Sequence, residues 1–144
     1  MRTVKDILRA KGSKVYSISP DATVYEALNR MADKNVGALL VLELEQIVGL
    51  ISERDYARKT ILKGRFSKET AVKEIMTTNV ITVGPGEDLE KCMELFTDKH
   101  VRHLPVIEDE KIIGIISIGD VVKGVIDHKE FIIQEQEKYI KGKR

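Results

Sequence analysis

The sequence repeats itself, and that limits what it can fold into more than any single motif does. Displaced by 65 positions, residues Val15–Lys59 lie over Val80–Gly124 without a gap, and fourteen of the 45 paired positions are identical. The identities include Pro20/Pro85, Gly49/Gly114, Ser52/Ser117 and Asp55/Asp120. Hydrophobic periodicity does not demand these residue types, so two unrelated amphipathic stretches would not share them. Each copy has a similar lead-in, Val4-Lys5-Asp6-Ile7-Leu8 and Val72-Lys73-Glu74-Ile75-Met76. A unit of about 60 residues is marginal alone because too little of its surface is buried. The expectation is therefore an α+β fold: two pseudo-symmetric β-α-β-β-α repeats packed into one module. The repeats are read as residues 1–65 and 66–127, followed by a helical tail over 128–144.

Within each copy a short strand (Val15–Ser19; Val80–Gly84) runs into Pro20 or Pro85, and proline suits a helix threshold better than a helix interior. The first helix starts at Thr23, with Glu26 at capping-box spacing; its counterpart starts near Asp88. Val24, Ala27, Leu28, Met31 and Leu89, Cys92, Met93, Phe96 recur at helical intervals and predict a buried stripe. Two strands follow, Ala38–Leu42 and Ile47–Ile51, joined by the polar segment Glu43-Leu44-Glu45-Gln46 as a hairpin. Leu104–Ile107 and Ile112–Ile116 repeat them, and a second helix is predicted beyond Ser52 and Ser117. Lys63–Thr70 reads as a polar connector. The charged tail carries Phe131, Ile132, Ile133, Tyr139 and Ile140, an apolar side expected to cap the core or meet a partner subunit.

Composition excludes several classes. Lys and Arg number 24 and Asp and Glu 23, so a net charge of +1 gives no overall field for gathering nucleic acid or anionic membrane. The runs Val36–Leu42 and Ile112–Ile118 are far shorter than the ~20 residues a membrane-spanning helix needs. Met1–Asp6 leads into no signal-peptide core. The lone Cys92 permits no internal disulfide, and on the helix stripe it reads as core rather than nucleophile. The expectation is a soluble cytoplasmic protein.

The recurring chemical group is Gly-x-x-Ser-x-x-Asp, at Gly49–Asp55 and Gly114–Asp120, where a strand hands over to a helix. Ser caps a helix well and Asp suits its first turn, so one copy alone is more simply a helix start. Two copies at matching positions favour ligand binding. Free amides and a hydroxyl hold phosphate, and a carboxylate one turn on accepts both hydroxyl protons of a ribose.

Val101-Arg102-His103-Leu104-Pro105-Val106 followed by Gly114-Ile115-Ile116-Ser117-Ile118-Gly119-Asp120-Val121-Val122 resembles the cystathionine β-synthase (CBS) domain, and two copies resemble a CBS pair, or Bateman module. The resemblance covers residues 1 to about 127. It implies two clefts between the repeats that bind AMP, ADP, ATP, NAD(H) or, less readily, S-adenosylmethionine, and pairing into homodimers. Carried over by position, a first site takes Ser52 for phosphate, Asp55 for ribose, Arg54 as a cation and Leu50 against the base, facing Asn79, Ile81, Val101, Arg102, His103 and Pro105. A second takes Ser117, Gly119, Asp120 and Ile115, facing Tyr16, Val36, Gly37 and Ala38. The first is expected to hold phosphorylated adenosine more tightly. In the second, Gly119 replaces Arg54, Gly37-Ala38 replace Arg102-His103, and Leu40 stands where Pro105 does.

The implied role is a non-enzymatic regulatory sensor that acts on a protein partner in trans. A nucleotide hydrolase would need a positioned base and an activated water or metal, and only Glu53 and His103 offer themselves. A single-stranded nucleic-acid binder would need a basic groove with stacking aromatics, whereas the seven aromatics are dispersed. Glu130, Glu135 and Glu137 break up the tail cations Lys138, Lys141, Lys143 and Arg144. His100 and His103 lack the third and fourth ligands a zinc site wants.

Overall fold

The computed structural model describes residues 2–142, the side chains of 141 and 142 excepted. Lys143 and Arg144 of the tail, like Met1, lie outside the described residues. The elements run α1 (Val4–Lys11), β1 (Ser17–Ile18), α2 (Val24–Lys34), β2 (Ala38–Glu43), β3 (Gln46–Ser52), α3 (Glu53–Lys59), a 3-10 turn, α4 (Val72–Ile75), α5 (Leu89–Lys99), β4 (His103–Glu108), β5 (Lys111–Ser117) and α6 (Ile118–Gly142). The chain forms two compact units, one of residues Val15–Ile81 and one joining Met1–Lys14 to Thr82–Arg144. The units cut the chain differently from the repeat boundaries, because each lead-in packs with the copy that does not follow it.

Backbone hydrogen bonds make that exchange, and they are matched. In the 15–81 unit, Val72 N donates to Ala22 O (2.8 Å), Lys73 N to Pro20 O (3.0 Å) and Val24 N to Thr70 O (2.8 Å). In the other, Val4 N donates to Glu87 O (2.9 Å), Lys5 N to Pro85 O (2.9 Å) and Leu89 N to Arg2 O (2.9 Å). Lead-in amides that would otherwise be orphaned at a helix start thus find the carbonyls around Pro20 and Pro85.

The sheet of the 15–81 unit has the order β1-β2-β3, β1 parallel to β2 and β3 antiparallel to it. Leu39, Val41 and Ile51 pack against Val24, Ala27 and Met31 of α2 and Val72 and Ile75 of α4. Cutting a buried Leu, Ile or Met of this core back to alanine costs ~2–5 kcal/mol. Thr23 caps α2 by accepting from Glu26 N at 3.1 Å while Glu26 reaches back to Thr23 N, as its sequence predicts. In the other unit Asp88 caps α5, and Leu89, Cys92 and Phe96 are buried with Val4, Ile7, Leu104, Val106, Ile116 and Val121. Burial raises the Cys92 thiol to about 11, which suits a core residue and not a nucleophile.

Three expectations change. The strand expected over Val80–Gly84 shrinks to a single bridge, Val83 to Val106. In the first copy Leu40 N donates to Tyr16 O at 3.1 Å, but the equivalent residue is Pro105, which has no amide hydrogen to give. Both hairpins close through two residues rather than four. Leu44 and Glu45, like Asp109 and Glu110, take φ near 51° and 65°, the left-handed pair of a tight hairpin turn. The helical tail continues the second helix of the second copy as one helix, α6, and the change is at its apolar side: Phe131, Ile132, Ile133, Tyr139 and Ile140 are exposed rather than capping the core.

Candidate functional site

Each motif sits at a strand-to-helix turn, β3 into α3 and β5 into α6. Its serine and aspartate form a reciprocal cap. Ser52 N donates to Asp55 Oδ2 (2.9 Å) and Asp55 N to Ser52 Oγ (3.2 Å); Ser117 N donates to Asp120 Oδ2 (2.9 Å) and Asp120 N to Ser117 Oγ (3.1 Å). The cap satisfies amides that a helix start leaves open, and it fixes both carboxylates in place. Each Ser–Asp pair is therefore a helix cap that holds the carboxylate at the turn.

An ammonium group meets each carboxylate, and the two come from different places. Lys59 Nζ lies 3.1 Å from Asp55 Oδ1, one turn along α3, and also donates to Ile75 O at 3.1 Å. Lys11 Nζ, at the end of α1, lies 2.7 Å from Asp120 Oδ2 and donates to Ile115 O at 3.0 Å. Residue-by-residue reading missed both lysines. Lys59 has no cationic counterpart because Gly124 occupies its place in the second copy. Lys11 was detectable only by aligning the lead-ins, which sets it over Asn79.

The remaining expected site residues are placed as follows. Within the 15–81 unit, Gly37 O accepts from Glu53 N (3.1 Å) and Ala38 pairs with Ser52, so the strand entry Val36-Gly37-Ala38 lies beside the first motif. Tyr16 lends its carbonyl to Leu40, and Arg30 and Lys34 lie over its ring at 5.9 and 5.4 Å. Leu50 bridges to Thr77, two residues before Asn79, and Ile81 ends the unit. In the other unit, Arg102 O accepts from Ile118 N (3.0 Å), His103 pairs with Ser117 and Pro105 with Ile115. The structure thus gathers Val101–Pro105 beside the second motif of their own unit. Arg54 and Gly119 are exposed on the first turns of α3 and α6. His100 is the left-handed C-cap of α5, as Asn35 is of α2, and no metal-holding group of three or more ligands occurs among the described residues.

Electrostatics at Asp120 make a pH prediction. Burial pushes its carboxyl up, but hydrogen bonds from Lys11 and Ser117 outweigh this and leave it below its ordinary 3.8. Asp6 of the same unit is also held low, by the amides of Arg2 and Thr3. A depressed carboxyl stabilises the fold above the unfolded value, ~3.9, and loses that contribution as pH falls through the folded one. The melting temperature of Asp120→Asn is expected to trail wild type most above roughly pH 4 and to converge on it in more acid solution. A gap that stays constant down to pH 2.5 refutes this.

The family model of the CBS domain matches residues 4–60 and 72–127. The chain belongs to the CBS-domain family. Its tandem arrangement is a CBS pair of mixed α+β structure. Over 97% of its length it is 42% identical to the Arabidopsis thaliana CBS domain-containing protein CBSX3, mitochondrial, of which the match covers 72%. A putative signal-transduction protein with CBS domains from Burkholderia ambifaria shares 48% identity at a TM-score of 0.84, covering 87% of this chain and 94% of that one. The CBS domain pair of protein MJ0100, solved in complex with 5′-methylthioadenosine and S-adenosyl-L-methionine, shares the fold at a TM-score of 0.75 and 24% identity, over 88% of this chain and 97% of that one. Among the described residues no helix is long and apolar enough to cross a membrane.

Proposed function

We propose that this CBS pair is a non-catalytic sensor of adenosine ligands, AMP, ATP or NAD(H), held at the two Ser-Asp turns and read out by a partner protein in trans. The observation that carries the proposal is the pair of capped carboxylates, each fixed by its serine and faced by one ammonium. A ribose presents two adjacent hydroxyls that a fixed carboxylate can accept together, and the neighbouring cation tolerates a phosphate. The MJ0100 pair supports the reading only in that the same fold carries adenosine compounds there. Occupancy shifts a partner's affinity only if the ligand prefers one conformation of the module.

A thermal-shift panel with AMP, ATP, NAD, NADH and S-adenosylmethionine tests this. A cognate ligand at 100 times its dissociation constant is expected to add ~2.7 kcal/mol of stability. Asp55→Ala and Asp120→Ala are each expected to remove part of that shift. Shifts that survive both substitutions unchanged sink the proposal. Self-association belongs to the same reading. Val122, Ile126, Ile133 and Ile140 are exposed and follow a heptad-like spacing along α6, the pattern of a helix that pairs with a second copy. Light scattering on the same samples is expected to give a dimer that Ile133→Glu weakens; a wild-type monomer refutes pairing.

A further inference from the structure

The second motif has a cation that its own repeat does not encode. Lys11 reaches Asp120 across 109 residues of sequence, and Gly124, where the first copy has Lys59, offers no side chain one turn after Asp120. An opening of about 120 Å³ between α1 and α6 is lined by two ammonium groups, Lys11 and Lys123, and two carboxylates, Asp120 and Asp127, with Ile7, Ala10 and Gly124. Liquid water takes ~30 Å³ per molecule, so the opening has room for a few waters or one tetrahedral oxyanion but not for a nucleoside.

We propose that Lys11 decides which phosphorylation state of an adenosine ligand the second motif accepts. The inference rests on the reading above, that Asp120 takes the ribose hydroxyls. A bare carboxylate beside the ribose repels the ligand's own phosphates; the Lys11 ammonium, 2.7 Å from Asp120, cancels that charge. Ammonium has three donors. When ribose hydroxyls occupy Asp120, Lys11 keeps Ile115 O and turns a donor towards phosphate. Its side chain is 37% exposed, so solvent and a ligand phosphate can reach the ammonium. Lys59 makes the matching pair of contacts, with Asp55 and Ile75 O, but from the helix of its own motif rather than from a lead-in.

Calorimetry on the full chain with adenosine, AMP and ATP tests the assignment, using wild type, Lys11→Met, Lys11→Arg and Asp120→Asn. The site that Asp120→Asn abolishes is the second motif's. At that site Lys11→Met is expected to weaken ATP by roughly tenfold or more, the value of one charge-assisted hydrogen bond, and adenosine by less than about twofold. Lys11→Arg is expected to retain ATP binding, which separates a charge role from a packing role. Equal weakening of ATP and adenosine, or unchanged ATP binding, overturns the role of Lys11 and leaves the sensor reading intact. Wild-type protein with no adenosine binding that depends on Asp120 overturns the reading of the second motif, and Lys11 with it.

Discussion

Truncating Ile7 to alanine is expected to loosen strands far along the chain, β4 and β5, before the strands β2 and β3 that come next after it. Ile7 is 3% exposed in α1, a helix that packs on β5 and α6. Ile75 is its counterpart in α4, 2% exposed among Leu39, Val41 and Ile51 of the other unit. Each truncation removes buried methyl groups and leaves a cavity, at a cost of ~2–5 kcal/mol. Amide exchange reads where that cost falls, because protection tracks local opening. With Ile7→Ala, residues 103–117 are expected to lose protection first and most; with Ile75→Ala, residues 38–52. Lead-ins that belonged to the repeats they precede would reverse the two patterns.

The motif glycines give the second large effect, and they differ from each other. A Cβ on Gly49 would lie 2.5 Å from Met76 Sδ, 2.9 Å from Met76 Cγ and 2.9 Å from Thr77 O. Thr77 cannot retreat, since its amide and carbonyl pair with Leu50 at 2.8 and 2.9 Å. A Cβ on Gly114 would meet only the side chain of Leu8, Cδ2 at 2.6 Å and Cδ1 at 3.1 Å, and the tip of a leucine can rotate away. Replacing glycine by alanine stabilises by ~0.4–1 kcal/mol through the unfolded chain where no clash arises. Overpacking against fixed backbone costs ~1–3 kcal/mol. Gly49→Ala is therefore expected to be a net loss and Gly114→Ala close to neutral, as read from urea midpoints. Equal midpoints for the two variants would remove the close-approach explanation. On this account the glycine at the head of the motif serves the lead-in, while Ser and Asp serve the turn.

Much of the site was legible because its causes are local. At Ser52/Asp55 and Ser117/Asp120 the bonds join residues three apart; serine as the cap and aspartate in the first turn were legible, the return bond from the serine amide to the aspartate was not. The hairpin turns were less legible. Leu44-Glu45 and Asp109-Glu110 are not the Asn-Gly or Asp-Gly pairs that mark left-handed turns, so strand pairing and not turn preference sets their φ. The missing strand before Pro85 was not legible from Pro105 alone, because its lack of an amide matters only once its strand partner is known.

Sequence periodicity and repetition alone determined that the chain holds two related α+β copies, where the capped helices start and where each motif's serine caps a helix. They did so because capping, turning and amphipathic burial act over a few residues. Only tertiary structure decided which copy each lead-in joins and which ammonium faces each carboxylate. Those choices depend on hydrogen-bond partners and close approaches between segments up to 109 residues apart, as for Lys11 and Asp120, and no local pattern encodes them.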